Sequence, residues 1–487
     1  MGELNVSALD EKGQREFTRA LLDDVHALER MIAEGLIETG IHRIGAEQEF
    51  FLVDKAYRPA ALAEPMLDRL DPKFFTSELA TFNIEANLSP RPFESGSLIA
   101  MEQELDQCIS SARKAARDLG GDVVLTGILP TLSDEHISLD WMTPQARYAE
   151  MNETLCRLAG GKFHTLIKGL DQLQTSSDNV MLEACNTSFQ IHFQVAPDQF
   201  ARVYNLVQAV TAPVLAAAVN SPILLQNRLW HETRVALFQQ SLDSRSDALK
   251  KRGTRTRVNF GDAWIKDSVL EIYRDDIARF RSILGGDLGE SSLEVLDRGE
   301  VPNLKGPVYR WNRPCYGVGG GKPHLRIEAR AFPSGPTALD EIANAAFLFG
   351  LMAGIEKHHG DVTEALLFDH VKENFTNAAR YGLKAQFHWV GGEVISASKL
   401  ILERLLPQAA DGLLQSGFSD QEVDRYLSVI EERVKGGRTG SQWVLDSIDA
   451  MKGQGTTDSR CRALTEAMIR NQEAGGPIHT WPTLDHL

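Results

Sequence analysis

The segment Gly45-Ala46-Glu47-Gln48-Glu49-Phe50-Phe51-Leu52-Val53-Asp54 places two carboxylates two residues apart inside an otherwise apolar run. Side chains of a strand alternate between faces, so Glu47 and Glu49 project together while Ala46, Phe50 and Leu52 enter a core from the other side. Carboxylates so close repel and raise each other's pKa unless a cation sits between them, and a divalent metal ion answers that need. The pattern recurs. Residues 189–195 put Gln190, His192 and Gln194 opposite apolar neighbours; residues 324–330 set Arg326, Glu328 and Arg330 against Leu325, Ile327 and Ala329. Residues 82–88 set Asn83, Glu85 and Asn87 against Ile84, Ala86 and Leu88. A sheet with one face in water also alternates, and that bland reading accounts for any one segment alone. Solvated faces favour Thr, Lys and Ser, whereas these four supply Glu, His, Gln, Asn and Arg, the groups that bind metals, phosphates and carboxylates. Together they predict one concave, functional face.

The elements that must position this face are helices and strands in irregular order. Helical spacing is read over residues 16–38, 98–119, 197–219, 268–284 and 339–358, with an apolar strand at 122–127. The lack of regular strand–helix alternation favours an α+β architecture with a largely antiparallel sheet, helices on its outer face, over a doubly wound parallel fold. After residue 360 the segments 366–377, 396–416, 420–435, 441–451 and 457–471 all read as helices. The expected organisation is an N-terminal helical segment (1–41), a catalytic domain (42–359) and a helical C-terminal region (360–487).

A chain of 487 residues can bury a large core, and 51 Lys+Arg against 67 Asp+Glu gives a formal charge of -16. That balance argues against general binding to nucleic acid or anionic membrane and favours small soluble partners. Five scattered cysteines (Cys108, Cys156, Cys185, Cys315, Cys461) show neither a disulfide framework nor a zinc knuckle, which suits a reducing compartment. With no secretory signal read at residues 1–10, the expectation is a cytoplasmic protein. The most apolar stretches, 210–225 and 343–355, read as too short or too broken to span a bilayer.

Jointly, Gly-x-Glu-x-Glu-Phe at 45–50, Glu78 and Glu85 before a Pro-containing turn, the strand leading to His192 and Arg-Ile-Glu-x-Arg at 326–330 resemble the glutamine synthetase superfamily, in motif order as well. Asn220-Ser221-Pro222, Arg234 and Arg330-Ala331-Phe332-Pro333 bring the likeness closer to bacterial carboxylate-amine ligases, also called family-2 glutamate-cysteine ligases, over about residues 42–358. The resemblance implies a funnel of strands whose carboxylates hold two or three magnesium ions around the phosphates of ATP. By motif, Glu47, His192 and Glu328 hold the metal nearer the nucleotide phosphates, and Glu49, Glu78 and Glu85 the metal nearer the substrate carboxylate. Arg330, with Glu328, serves catalysis by stabilising the transferring phosphoryl group. Arg234, Arg326, His192, Gln190 and Asn87 are candidates for substrate or ATP contact. The implied reaction phosphorylates a carboxylate, in the lead case the γ-carboxyl of glutamate, and lets an amine such as cysteine displace the phosphate. A Glu-rich, Cys-free ligand set suits magnesium, with manganese as a substitute; a zinc hydrolase would need more histidine. The resemblance is also compatible with a homo-oligomer.

Other readings compete at particular residues. Glu78 is seven residues from Glu85, the wrong parity for one face of one strand, so a turn or bulge must intervene. His192 could be a structural histidine, and Arg326 could pair with a neighbouring carboxylate. The run Gly317-Val318-Gly319-Gly320-Gly321-Lys322 lacks P-loop spacing and reads as a flexible approach to the Arg326 strand, while Cys315 reads as incidental rather than nucleophilic. The basic segment 248–262, with Lys250, Lys251, Arg252, Arg255 and Arg257, is a solvated loop by default and a mobile lid over anionic substrate as the second reading. Two further functions fit the fold: a guanidino-type phosphotransferase, and a nucleotide-binding regulatory protein.

Overall fold

The computed structural model describes residues 6–7, 11–245, 247–280, 285–286, 290–302 and 309–486. Its spine is the 12-residue strand Arg43–Asp54. Around it runs an eight-stranded sheet in the order Asn312–Gly319, Lys322–Ala329, Phe189–Val195, Arg43–Asp54, Asn83–Asn87, Phe75–Ser77. Every pairing in it is antiparallel. Gly121–Val124 and Arg91–Pro92 complete the two flanks of the spine, because Phe51 pairs with both Asn83 and Val124, and Ile44 with both Phe193 and Arg91. The sheet curls into a half-barrel, and the architecture is α+β as the irregular element order predicts.

Register gathers the polar residues. Glu49 lies opposite Glu85, Glu47 opposite both Asn87 and Gln190, and His192 opposite both Glu328 and Gly45. Paired strands bring facing side chains within about 5 Å, so residues up to 281 positions apart in sequence share one patch. The polar face is not uniform, however. Phe51 and Val53 continue the Glu47–Glu49 side of the spine and are fully buried. Asn83 donates to the Ala184 carbonyl, and Gln194 bonds Glu38 and Arg43 at the sheet's margin.

Helices cover the outer face. Ala338–His359 is central, packing on Ser97–Asp118, Phe200–Ala218, Leu406–Gln415 and Asp420–Lys435. It buries on all sides, since apolar residues recur round its whole circumference. The apolar stretch 343–355, read as too short, lies in this 22-residue helix, which among the described residues alone is long and apolar enough to cross a bilayer; 89% of its apolar window is buried within the protein. The C-terminal helices are tied to it by Arg433, which donates to Asp340 Oδ1 at 2.8 Å and Asn344 Oδ1 at 2.6 Å with both partners buried.

Expected and observed elements agree closely, with instructive exceptions. The helix read at 268–284 is Val269–Arg279, and positions 281–284 lie outside the described residues. The helix read at 396–416 is interrupted by a π-turn at Ile401–Leu405. A small hairpin, Gln386–His388 with Val394–Ser396, interrupts the helical C-terminal region; three-residue strands are too short to leave a periodic signal. Residues 317–322 are likewise not a flexible approach. They belong to two paired strands joined at Gly320–Gly321, whose φ values of 57° and 77° form the two-residue turn that only glycine adopts readily. A Cβ on Gly317 would come within 2.5 Å of Arg326 Nη1, so the missing side chain makes room for that arginine.

Candidate active site

On the polar face of the sheet opens a cavity of about 380 Å³. Two trios of side chains there could each hold a metal ion: Glu47, His192 and Glu328, and Glu49, Glu78 and Glu85, with the ligand atoms of each trio within 4.8 Å of one another. The parity problem at Glu78 resolves in the way strand geometry requires, because Ser77 ends one strand, Asn83 begins the next, and Glu78 sits in the intervening turn. His192 Nε2 is 3.3 Å from Glu47 Oε1 and 3.6 Å from Glu328 Oε2. It nevertheless has no hydrogen-bond partner with proper geometry, and burial holds the imidazole below its usual pKa against the pull of both carboxylates. A neutral imidazole nitrogen aimed between two carboxylates is the state in which histidine coordinates metal.

The carboxylates are not equivalent. Burial, then repulsion from Glu78, pushes Glu49 up to about 7, although Arg234, Arg330 and the Ser188 N–H act against this. Ser188 N–H donates to Glu49 Oε2 at 2.6 Å and Gln190 Nε2 to Oε1 at 2.9 Å. Glu85, which accepts from Asn87 Nδ2 at 3.0 Å, is raised well above the usual range by burial and by Glu47 and Glu78. Glu328 goes the other way. Burial alone would raise it, but Arg313 Nη2 at 3.0 Å and Arg330 Nη1 at 2.6 Å hold it well below. Burial and acidic repulsion that the nearby arginines do not offset at Glu49 and Glu85 are the electrostatic condition that a divalent ion relieves.

Four arginines face the acids. Arg330 and Arg313 bracket Glu328, Arg326 Nη1 lies 3.2 Å from His324 Nε2, and Arg234 enters from the Thr233–Ser241 helix. Arg234 is aimed by the fully buried Glu232, whose Oε1 accepts its Nη1 at 3.1 Å, and by the Ala331 carbonyl at 3.1 Å. Thus Gln190, Asn87, Arg234, Arg326 and Arg330 all line the cavity with Glu47, Glu49, Glu78 and Glu85; His192 and Glu328 lie in the trio behind it.

Two charged cavity residues went unread in the sequence. Arg313 sits directly across the hairpin from Glu328, and its signal would have been the strand pairing of 312–319 with 322–329. Glu183, in the short turn Glu183–Cys185, has no periodic signal at all; burial, with Glu78 and Glu49 nearby, raises it to about 8. Cys315 Sγ donates to Glu328 Oε2 at 3.2 Å, and burial pushes the thiol up to about 11, far from a thiolate nucleophile. The basic segment is more engaged than a solvated loop: Arg255 pairs with Asp262 and Asp275, Lys250 lies 3.6 Å from Asp243, and Arg257 is buried with its guanidinium 5.5 Å from the Phe280 ring centre.

Fold and comparison with known proteins define the class: an ATP-dependent carbon–nitrogen ligase of the carboxylate-amine kind. The chain belongs to glutamate-cysteine ligase family 2 (GCS2), whose sequence profile matches residues 43–467 and so runs on through most of the C-terminal helices. This bears out the resemblance carried by the motifs. Among solved structures, a glutamate–cysteine ligase from Francisella tularensis in complex with AMP superposes with a TM-score of 0.52 at 12% identity, over 90% of each chain. A bifunctional glutathione synthetase from Pasteurella multocida gives a TM-score of 0.51 at 11% identity, over 92% of this chain and 55% of that one. At such identities the likeness is one of fold. No curated protein sequence matches the chain.

Proposed function

We propose that the protein joins the γ-carboxyl of glutamate to an amine, with cysteine as the lead acceptor, through an acyl phosphate made at the expense of ATP. The observation that carries this reading is the pair of acid trios, one closed by a histidine nitrogen that has no hydrogen-bond partner, facing a bank of arginines in one cavity.

Glu47, His192 and Glu328 would hold one Mg²⁺ toward the nucleotide phosphates, and Glu49, Glu78 and Glu85 another toward the substrate carboxylate. Mg²⁺ or Mn²⁺, once bound, supplies charge neutralisation of phosphate and carboxylate oxygens. The remaining work falls to side chains. Arg330, held 2.6 Å from Glu328, stabilises the transferring phosphoryl group, whose catalysis is mainly positioning and electrostatics. Arg234 and Arg326 receive carboxylate or phosphate oxygens. Gln190 and Asn87 steady Glu49 and Glu85, to which they donate. Residues 42–359 carry this funnel-like site, and the helices of 360–487 brace it through Arg433 and the Ala338–His359 helix. The family match does not favour guanidino phosphotransfer or a regulatory nucleotide-binding role.

The test is ADP release with ATP and Mg²⁺ across carboxylates paired with amines, glutamate plus cysteine first and Glu328→Gln as control. Amine-dependent ADP with the matching amide found by mass, lost in the variant, is the expected result. ATP binding without turnover for any pair would overturn the ligase assignment.

A further inference from the structure

Five glutamates line the cavity, and four of them, Glu47, Glu49, Glu78 and Glu85, fall in the two trios; Glu183 belongs to neither. Its carboxylate has no hydrogen bond and no ion pair among the described residues, although Arg330 contributes to the field around it. On the same wall, Asn186 Oδ1 and Gln190 Oε1 also lack hydrogen-bond partners, and the Gln190 side chain is 2% exposed. A buried acceptor left without a donor is costly, and two of them lining a cavity with an unpaired carboxylate form a surface short of N–H groups. The arginines supply the opposite need, for anions.

We infer that this wall, with Glu183 at its head, receives the ammonium group of the acceptor amine. The inference rests on the ligase reading above and adds the seat of the second substrate. An ammonium offers three donors and one positive charge, matching a carboxylate and two amide oxygens. Before attack, one ammonium proton passes to the Glu183 carboxylate, freeing the nitrogen lone pair. The C–N bond then forms at the acyl carbon as the C–O bond to phosphate breaks, its electron pair leaving with phosphate. The second proton lost from nitrogen goes to that phosphate, so the products are the amide, hydrogen phosphate and a protonated Glu183.

The experiment compares parent enzyme and Glu183→Gln, with ATP, Mg²⁺ and glutamate, using cysteine and, separately, hydroxylamine, a nucleophile that is uncharged in mildly alkaline buffer. Melting temperature and Mg²⁺ affinity report folding and metal binding. The expected result is a rise in KM for cysteine of about 10- to 100-fold, the range for losing one hydrogen bond to a charged group, with a much smaller loss for hydroxylamine. An unchanged KM for cysteine overturns the inference. Equal losses with both nucleophiles, or weakened Mg²⁺ binding, also overturn it and assign Glu183 to the metal machinery. If the parent itself turns over no amine, the ligase reading falls first and the inference with it.

Discussion

Replacing Glu49 by Gln is predicted to stabilise the metal-free protein in a pH-dependent way. The carboxyl is raised from 4.5 to about 7 in the folded state. A raised acid means the folded chain keeps a proton that the unfolded chain has released, so stability falls as pH climbs from 4.5 to 7 and the full penalty persists above. A shift of about 2.5 units at 1.36 kcal/mol each is about 3 kcal/mol, a ceiling because the side chain partly faces the cavity. Against this, Gln presents an NH₂ to one of the two donors, Ser188 N–H or Gln190 Nε2, costing about 1 kcal/mol. The variant should therefore be about 1 kcal/mol less stable than the parent below pH 4.5 and about 1–2 kcal/mol more stable above pH 7. Urea unfolding in chelator across that window measures it. Adding Mg²⁺ should reverse the alkaline ranking, since ligand that binds only the folded state stabilises the parent more. Parallel pH profiles for parent and variant would refute the account of Glu49 as a desolvated carboxylate beside like charge.

Glu328→Gln leaves the largely buried Arg330 and the one-third exposed Arg313 around a neutral group. It should cost about 3 kcal/mol of stability and at least about 100-fold in turnover; ADP release close to the parent's would refute it. Arg433→Ala, which strands Asp340 in the core, should cost about 3–5 kcal/mol in urea unfolding, and a loss below about 1 kcal/mol would show the C-terminal clasp to be unimportant. His231 is lowered to about 4 by burial and by Lys384. Because its folded pKa is depressed, the unfolded chain protonates first, and stability should fall as pH drops from 6.5 to 4 by up to about 3 kcal/mol. A His231→Gln variant should lose visibly less over that window, and equal losses would count against the assignment.

Much of the site was legible because strand parity is local. Glu47 and Glu49 must share a face wherever the strand lies, and the same holds for Arg326, Glu328 and Arg330. Long helices such as Ser97–Asp118 and Asp420–Lys435 announced themselves by apolar spacing and clear stops. Short elements did not: the Gln386–His388 hairpin and the turn that carries Glu183 hold too few residues for any period to emerge.

What the sequence determined by itself, then, was the α+β class, the chemical equipment of each strand and the side of the strand on which it stands, since alternation depends only on neighbours in the chain. Tertiary structure alone decided the register that sets Glu49 beside Glu85 and Glu328 beside His192 and Arg313. It also decided the opposed pKa directions of Glu85 and Glu328. Two glutamates of identical intrinsic acidity diverge because the closed sheet desolvates both but sets Glu47 and Glu78 around Glu85, and Arg313 and Arg330 around Glu328.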